Sequence, residues 1–324
     1  MEGTKMSYSA MDKCGMMIYH LSVARLGPSE IRRISNKGYC NGYVTGVDTE
    51  LGQTIMQARL AQEFGDMIWL YQGSFNSKKE TLGEFMKKSE KGIKLLKEEG
   101  LWDTVAGFHW DEPLLHNPSN QDFLDMTRAL YEEYGKRIYP VFSTYEITGH
   151  KGNADDPSSN IQFEKFASEF ITDIGFDSYD YDVRPEFNDK QMGQIRKLQE
   201  KIPEIVDGQS YYRVYTQKLK DLMIGEPNIW FYPTAEYRWT WGQYFNGEDF
   251  CIAHLEFFLE LLKQQKRPGG IHLYTWKSWS YKRPALDVLL DRDNPDRWAR
   301  YEETIQRVCK EVREMKLNPE NRLK

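Results

Sequence analysis

Short apolar runs alternate with longer amphipathic runs along most of the chain. Met16-Met17-Ile18-Tyr19-His20-Leu21 reads as a first strand, and Pro28 near the start and Gly38 at the end bracket a short helix after it. Tyr39 to Val47 reads as a second strand, followed by a helix from Leu51 to Phe64 that Gly65 stops. Met67-Ile68-Trp69-Leu70-Tyr71 is a third strand, with a charged amphipathic helix from Leu82 to Glu99 behind it. Thr104 to Trp110, Arg137 to Thr144 and Ile174 to Tyr181 read as strands four to six. Helices are expected at Gln121 to Tyr134 and Ile161 to Phe170, and the longer stretch after strand six holds two, Asp189 to Lys201 and Tyr211 to Met223. Asn228 to Ala235 and Gly270 to Trp276 complete the strands, with helices at Asp249 to Gln265 and Arg297 to Met315.

Strands alternating with helices imply parallel pairing through right-handed crossovers. Eight such units in 324 residues predict an α/β chain folded as a single (β/α)8 TIM barrel. The barrel is expected to span 1–324 as one domain, with polar termini at about 1–13 and 316–324, and the 183–226 stretch reads as an elaborated crossover. The rival, an open doubly wound sheet, announces itself with a Gly-rich turn after the first strand. Leu21-Ser22-Val23-Ala24-Arg25 stands there instead, and neither G-x-G-x-x-G nor G-x-x-x-x-G-K occurs.

Composition narrows the function. With 43 Lys plus Arg against 49 Asp plus Glu, the net charge of −6 argues against a nucleic-acid partner, whose recognition leaves a basic footprint. No run approaches the ~20 apolar residues of a membrane span. Met1 to Lys13 has no apolar leader core, so a cytoplasmic location is expected unless a leader has been removed. Cys14, Cys40, Cys251 and Cys309 lack C-x-x-C spacing and a Cys/His cluster for zinc, and are expected as buried thiols. Aromatic residues, at 14%, are the outlier.

A barrel of this type carries its site at the C-terminal ends of its strands. The first strand leads to His20 and Arg25, the third to Tyr71-Gln72 and the fourth to His109-Trp110-Asp111-Glu112-Pro113. The fifth reaches Ser143-Thr144-Tyr145-Glu146, and the sixth Asp177-Ser178-Tyr179-Asp180-Tyr181-Asp182. The seventh reaches Glu236 to Trp241, and the eighth Trp276 to Trp279. Carboxylates and large rings thus gather on one rim. Rings stack on sugar faces and carboxylates take hydroxyl hydrogens, so the expected partner is a neutral carbohydrate substrate, with no cofactor and no metal.

The Trp110-Asp111-Glu112-Pro113 segment resembles the fourth-strand ending, Asn-Glu-Pro, of clan A retaining (β/α)8 glycoside hydrolases. The resemblance implies that Glu112 is the acid/base and that a Glu ending the seventh strand, here Glu236, is the nucleophile. It also implies a sixth-strand tyrosine, Tyr179 or Tyr181, and an eighth-strand tryptophan, Trp276, at the sugar. Retaining hydrolysis needs its two carboxyls about 5–5.5 Å apart, one protonated and one ionised. Strands four and seven face each other across the barrel, whereas the adjacent Asp111 and Glu112 point apart on an extended chain. The remaining sugar contacts are expected from His109, Trp110, Asp111, Tyr71, Tyr145, Asp177 and Trp241. Asp111 stands where the clan has Asn. An Asp-Glu pair also resembles the (β/α)8 N-acetylhexosaminidases, in which the substrate's acetamido group attacks, the Asp orients it and the Glu is the acid. That mechanism leaves Glu236 without a catalytic use, which favours the two-glutamate reading. A non-catalytic carbohydrate-binding barrel is a further alternative.

Plainer roles exist for the same residues. Glu112 could be a helix N-terminal acid favoured by the dipole, Glu236 could pair with Arg238 or Arg213, and Trp239, Trp241, Trp276 and Trp279 could be loop packing. Asp177, Asp180 and Asp182 resemble an oxygen-ligand loop but lack the Gly and terminal Glu of an EF-hand. His20, His109 and His272 fit hydrogen-bonded groups lining the barrel.

Overall fold

The computed structural model describes residues 9–18, 27–47, 51–71, 73, 75–113, 119–143, 146–147, 170–178, 181–184, 189–235, 239–240, 243–244, 247–276, 278, 285–294 and 296–317. Its strands are β1 (Gly15–Ile18), β2 (Gly42–Gly46), β3 (Met67–Tyr71), β4 (Val105–Asp111), β5 (Arg137–Ser143), β6 (Asp173–Asp177), β7 (Asn228–Phe231), β8 (Trp239–Thr240), β9 (Gln243–Tyr244) and β10 (Pro268–Leu273). All but β8 and β9 close into a parallel barrel in the order β1-β10-β7-β6-β5-β4-β3-β2, while β8 and β9 form an antiparallel pair of their own. The helices are α1 (Pro28–Lys37), α2 (Leu51–Phe64), α3 (Leu82–Glu98), α4 (Asn120–Tyr134), α5 (Asp189–Gln199), α6 (Gly208–Leu222), α7 (Glu248–Lys263), α8 (Leu286–Leu289) and α9 (Ala299–Glu314). The fold is the expected (β/α)8 barrel.

Local chemistry sets the helix ends. Thr81 and Glu84 close a capping box on α3, and Asp207 and Ser210 do the same for α6. Ser119 caps α4, and Gly38 and Gly135 end α1 and α4 in the left-handed region that favours glycine. The core has two parts. Ile, Leu, Phe and Val on the outward phase of the strands pack against the helices. Inside the barrel, Met17, Met67, Trp69, Ala106, Tyr139, Val141, Trp230 and Tyr232 form a second buried cluster.

Interior packing depends on small neighbours beside large rings. A Cβ at Gly270 would lie 2.0 Å from the Gly15 carbonyl and 2.5 Å from the Trp230 ring, so that ring occupies room only glycine leaves. At the N-terminal end of the barrel, Arg137 Nε donates to Asp173 at 2.9 Å and Trp230 Nε1 donates to the same carboxylate at 2.8 Å. The Arg137 guanidinium also lies 4.9 Å from the centre of the Trp69 ring. This buried pair fills the N-terminal end of the barrel. All four cysteines are buried free thiols, and among the described residues no helix is long and apolar enough to cross a membrane.

Candidate active site at the barrel mouth

Strand alternation decides which residues reach the mouth. On β3, Met67 and Trp69 belong to the interior cluster, so Tyr71 is inward at the strand end, and it is 41% exposed there. On β4 the register against β3 shifts at Ala106, and beyond it the inward residues are Gly107, His109 and Asp111. On β5, Tyr139 and Val141 lead to Ser143, and on β6, Asp173 and Gly175 lead to Asp177. Asp111 and Asp177 are both partly exposed. Tyr71, Asp111, Ser143 and Asp177 therefore form one side of the rim.

Glu112 follows directly. Its backbone N–H donates to the Val141 carbonyl at 2.9 Å, which prolongs the β4–β5 ladder by one residue. Its φ of +42° makes it the one non-glycine residue in the left-handed region among the described residues. Such a conformation is uncommon for a residue with a Cβ and concentrates at functional sites. The carboxyl-bearing side chain is partly exposed. Pro113 is buried behind it.

Beneath the rim lies a polar floor. His109 is sealed there, its Nδ1–H donating to the Tyr139 carbonyl at 3.2 Å. Burial is the main cause that lowers its pKa to about 3, so the imidazole is neutral. The His109 ring lies 5.5 Å from that of His272, whose Nδ1 is hydrogen-bonded to the Tyr232 hydroxyl. Burial raises the Tyr139 and Tyr232 hydroxyls well above the ordinary phenol range, and the Asp111 charge pushes both the same way.

Three expected sugar contacts are placed elsewhere. Trp110 is on the outward phase, 2% exposed, between Phe108 and Phe123. Trp276 is fully buried against Tyr39, with Nε1 donating to Glu30 at 3.3 Å and Arg33 over its ring. Both are packing residues of the outer layer. The Tyr181 ring packs at a tilt against Tyr211, centres 4.3 Å apart, and its backbone N–H donates to the Tyr212 hydroxyl. His109 is floor rather than rim. Asp182 is held by Arg184. Arg213, one imagined partner for Glu236, sits on the helical surface with Gln264 and Phe257. Glu236, Tyr145, Tyr179 and Trp241 lie outside the described residues, as do His20, Arg25, Asp180, Arg238 and Trp279. Ala235, just before Glu236, is buried, and its N–H donates to the Tyr274 carbonyl. Tyr232 also belongs to this floor, and its place two residues after the inward Trp230 is the sequence signal for it. Grooves of about 500 and 510 Å³ on the flank, between α1 and α2 and between α3 and α4, lie among helices away from the strand ends.

A closed (β/α)8 barrel with carboxylates at its C-terminal mouth is thus the class that fold and site define. No protein-family model matches the chain, and no curated protein matches it in sequence. Among solved structures it is similar to a β-glucuronidase from Ruminococcus gnavus in complex with uronic deoxynojirimycin, with a TM-score of 0.52, 10% identity, and 91% of this chain and 50% of that one covered. It is similar to ScGas2 in complex with a small compound, with a TM-score of 0.51, 9% identity, and 98% and 67% covered. It is also similar to the GH113 β-mannanase of Alicyclobacillus acidocaldarius, with a TM-score of 0.49, 11% identity, and 94% and 100% covered. What these likenesses share with this chain is the closed (β/α)8 barrel, the fold that the resemblance of Asp111-Glu112-Pro113 implied. At these identities the likeness is one of fold.

Proposed function

We propose that the protein is a retaining glycoside hydrolase acting on a carbohydrate, with Glu112 as acid/base and Glu236 as nucleophile. The observation that carries this reading is Glu112 itself: a carboxyl-bearing residue held in a left-handed conformation at the end of β4, beside the inward Asp111. A residue that only closed the strand would more naturally be Gly or Asn. Glu236 enters as the carboxylate that the resemblance puts after the seventh strand; it follows Ala235, whose backbone N–H donates to the Tyr274 carbonyl. The wall between β4 and β7 is β5 and β6, whose mouth carboxylate, Asp177, suits a sugar hydroxyl. Tyr71 offers an exposed ring for stacking. Tyr145, Tyr179 and Trp241 complete the proposed sugar contacts.

In this mechanism protonated Glu112 gives its proton to the leaving glycosidic oxygen while Glu236 attacks the anomeric carbon. Glu112 then takes a proton from the water that releases the sugar. The inward Asp111 supports a second reading, in which Asp111 orients a substrate acetamido group and Glu112 alone is the acid. A screen of aryl glycosides, followed by Glu236→Ala on the best substrate, separates them. The two-glutamate mechanism predicts that turnover is abolished and partly restored by azide, with a glycosyl azide as product. Near-native activity of Glu236→Ala would overturn it. Sugar binding without hydrolysis by the unaltered protein would leave a binding barrel.

A further inference from the structure

Just beyond β7 the backbone is held by side chains of the outer helices as well as by its bridge to Tyr274. The Thr234 N–H donates to His254 Nδ1 of α7 at 3.4 Å, and the Thr234 carbonyl accepts from the Tyr301 hydroxyl of α9 at 3.2 Å. His254 reaches further: its Nε2 is hydrogen-bonded to the Tyr212 hydroxyl of α6 at 3.0 Å. That hydroxyl meets both backbone groups of Tyr181, accepting from the N–H at 3.2 Å and donating to the carbonyl at 3.3 Å. Tyr181 belongs to the segment after β6, which rests on the first turn of α6. A Cβ on Gly208 would lie 2.0 Å from the Asp182 carbonyl oxygen, and Gln209 Nε2 donates to the Val183 carbonyl at 2.8 Å. One imidazole and one phenol thus join the chain beyond two neighbouring strands, β6 and β7.

The direction of every bond follows from the first donor. A backbone N–H can only donate, so His254 Nδ1 is the acceptor and the neutral ring carries its proton on Nε2. Nε2–H therefore donates to the Tyr212 oxygen, which leaves the phenol proton for the Tyr181 carbonyl. The Tyr212 oxygen then accepts twice and donates once, its full capacity. Both side chains are fully buried, with their rings packed on Phe258, so a bond lost here is not replaced by bulk water. We propose that His254 and Tyr212 are positioning residues that lock the segment after β6 to the chain beyond β7, so that this chain runs on to Glu236, two residues past Thr234, from a fixed point. The catalytic consequence rests on the glycosidase reading, and the lock itself does not.

The lock is tested first in the unaltered protein. The tautomer of His254 at pH 7 is read from two-bond ¹H–¹⁵N correlations and assigned by difference against His254→Gln. A proton on Nε2 is expected, and a proton on Nδ1 would remove the acceptor for Thr234 and overturn the proposal. Tyr212→Phe then takes away one oxygen and keeps the ring. Transmission through His254 predicts amide hydrogen exchange faster by about 10-fold at Thr234 as well as at Tyr181, with the amides of β3 unchanged. Unchanged exchange at Thr234 would overturn the lock. On the best glycoside the same variant is expected to lose about 10- to 100-fold in kcat with KM little changed, because the nucleophile rather than the sugar loses its placement. Activity lost only in proportion to the folded fraction would make Tyr212 and His254 packing residues. If the unaltered protein hydrolyses no glycoside, the glycosidase reading fails while the tautomer and the exchange rates still decide the lock.

Discussion

Glu112 meets a conflict between backbone and side chain. Its left-handed conformation costs a residue with a Cβ roughly 1 kcal/mol, and the ladder bond to Val141 holds it there. Glycine adopts that conformation without the clash. Glu112→Gly is therefore expected to raise stability by about 0.5–1 kcal/mol in urea denaturation while abolishing turnover. A destabilised variant would show that the side chain supports the fold instead. The candidate acid was legible because Asp-Glu-Pro is rare chemistry at a strand end. Trp110 and Trp276 were misplaced for a physical reason: residues gathered at a strand end do not share a face. The two-residue period that turns His109 and Asp111 inward sends Trp110 out to Phe123, and Trp276 lies past the end of β10.

Between elements, several joints depend on protonation state. His254 of α7 accepts from the Thr234 N–H at 3.4 Å and is hydrogen-bonded to Tyr212 of α6 at 3.0 Å. Burial, the largest cause, lowers its pKa from 6.5 to about 3, as it does for His109. Both imidazoles bind a proton less readily in the folded state, so their contribution is complete above pH 6.5 and is lost as pH falls from there toward 3. Asp66 runs the other way. It joins the start of β3 to Arg313 of α9 at 2.8 Å and to Ser35 of α1 at 3.0 Å, yet burial raises its pKa from 3.8 to about 6. Its contribution is present at low pH and lost as pH rises from 3.8 to 6. Two imidazoles against one carboxyl predict a lower melting temperature at pH 5 than at pH 7, and a steeper fall for Asp66→Asn. A flat profile, or a shallower one for that variant, would contradict these assignments. The elements themselves were legible where a long periodic run met a cap, as in α2 and α3. Strand ends were not: β6 stops at Asp177 rather than Tyr181, and β7 stops at Phe231 rather than Ala235, its pairing resuming only as an isolated parallel bridge between Thr234 and Tyr274. The helix expected at Ile161 to Phe170 falls almost wholly outside the described residues. The short α8 and the β8–β9 pair carry too few residues to show a period.

For the whole molecule, the eightfold alternation of strand and helix predicted closure, and the barrel closes. The polar floor was harder to foresee, because it is a property of register: Asp177, Tyr232 and His272 are far apart in sequence and become neighbours only when β6, β7 and β10 align. Closure also brings the ends of β4 and β7 to one mouth, and the central claim is that Glu112 and Glu236 meet there over one sugar. Incubation with the 2-deoxy-2-fluoro derivative of whichever aryl glycoside proves to be a substrate, followed by tryptic peptide mapping, tests that claim most directly. The fluorine slows release of a covalent glycosyl-enzyme and lets it accumulate. Time-dependent inactivation is expected, with one sugar attached at Glu236 in the peptide running from Asp221 to Arg238. Attachment at another residue, or full turnover with no label, would contradict it.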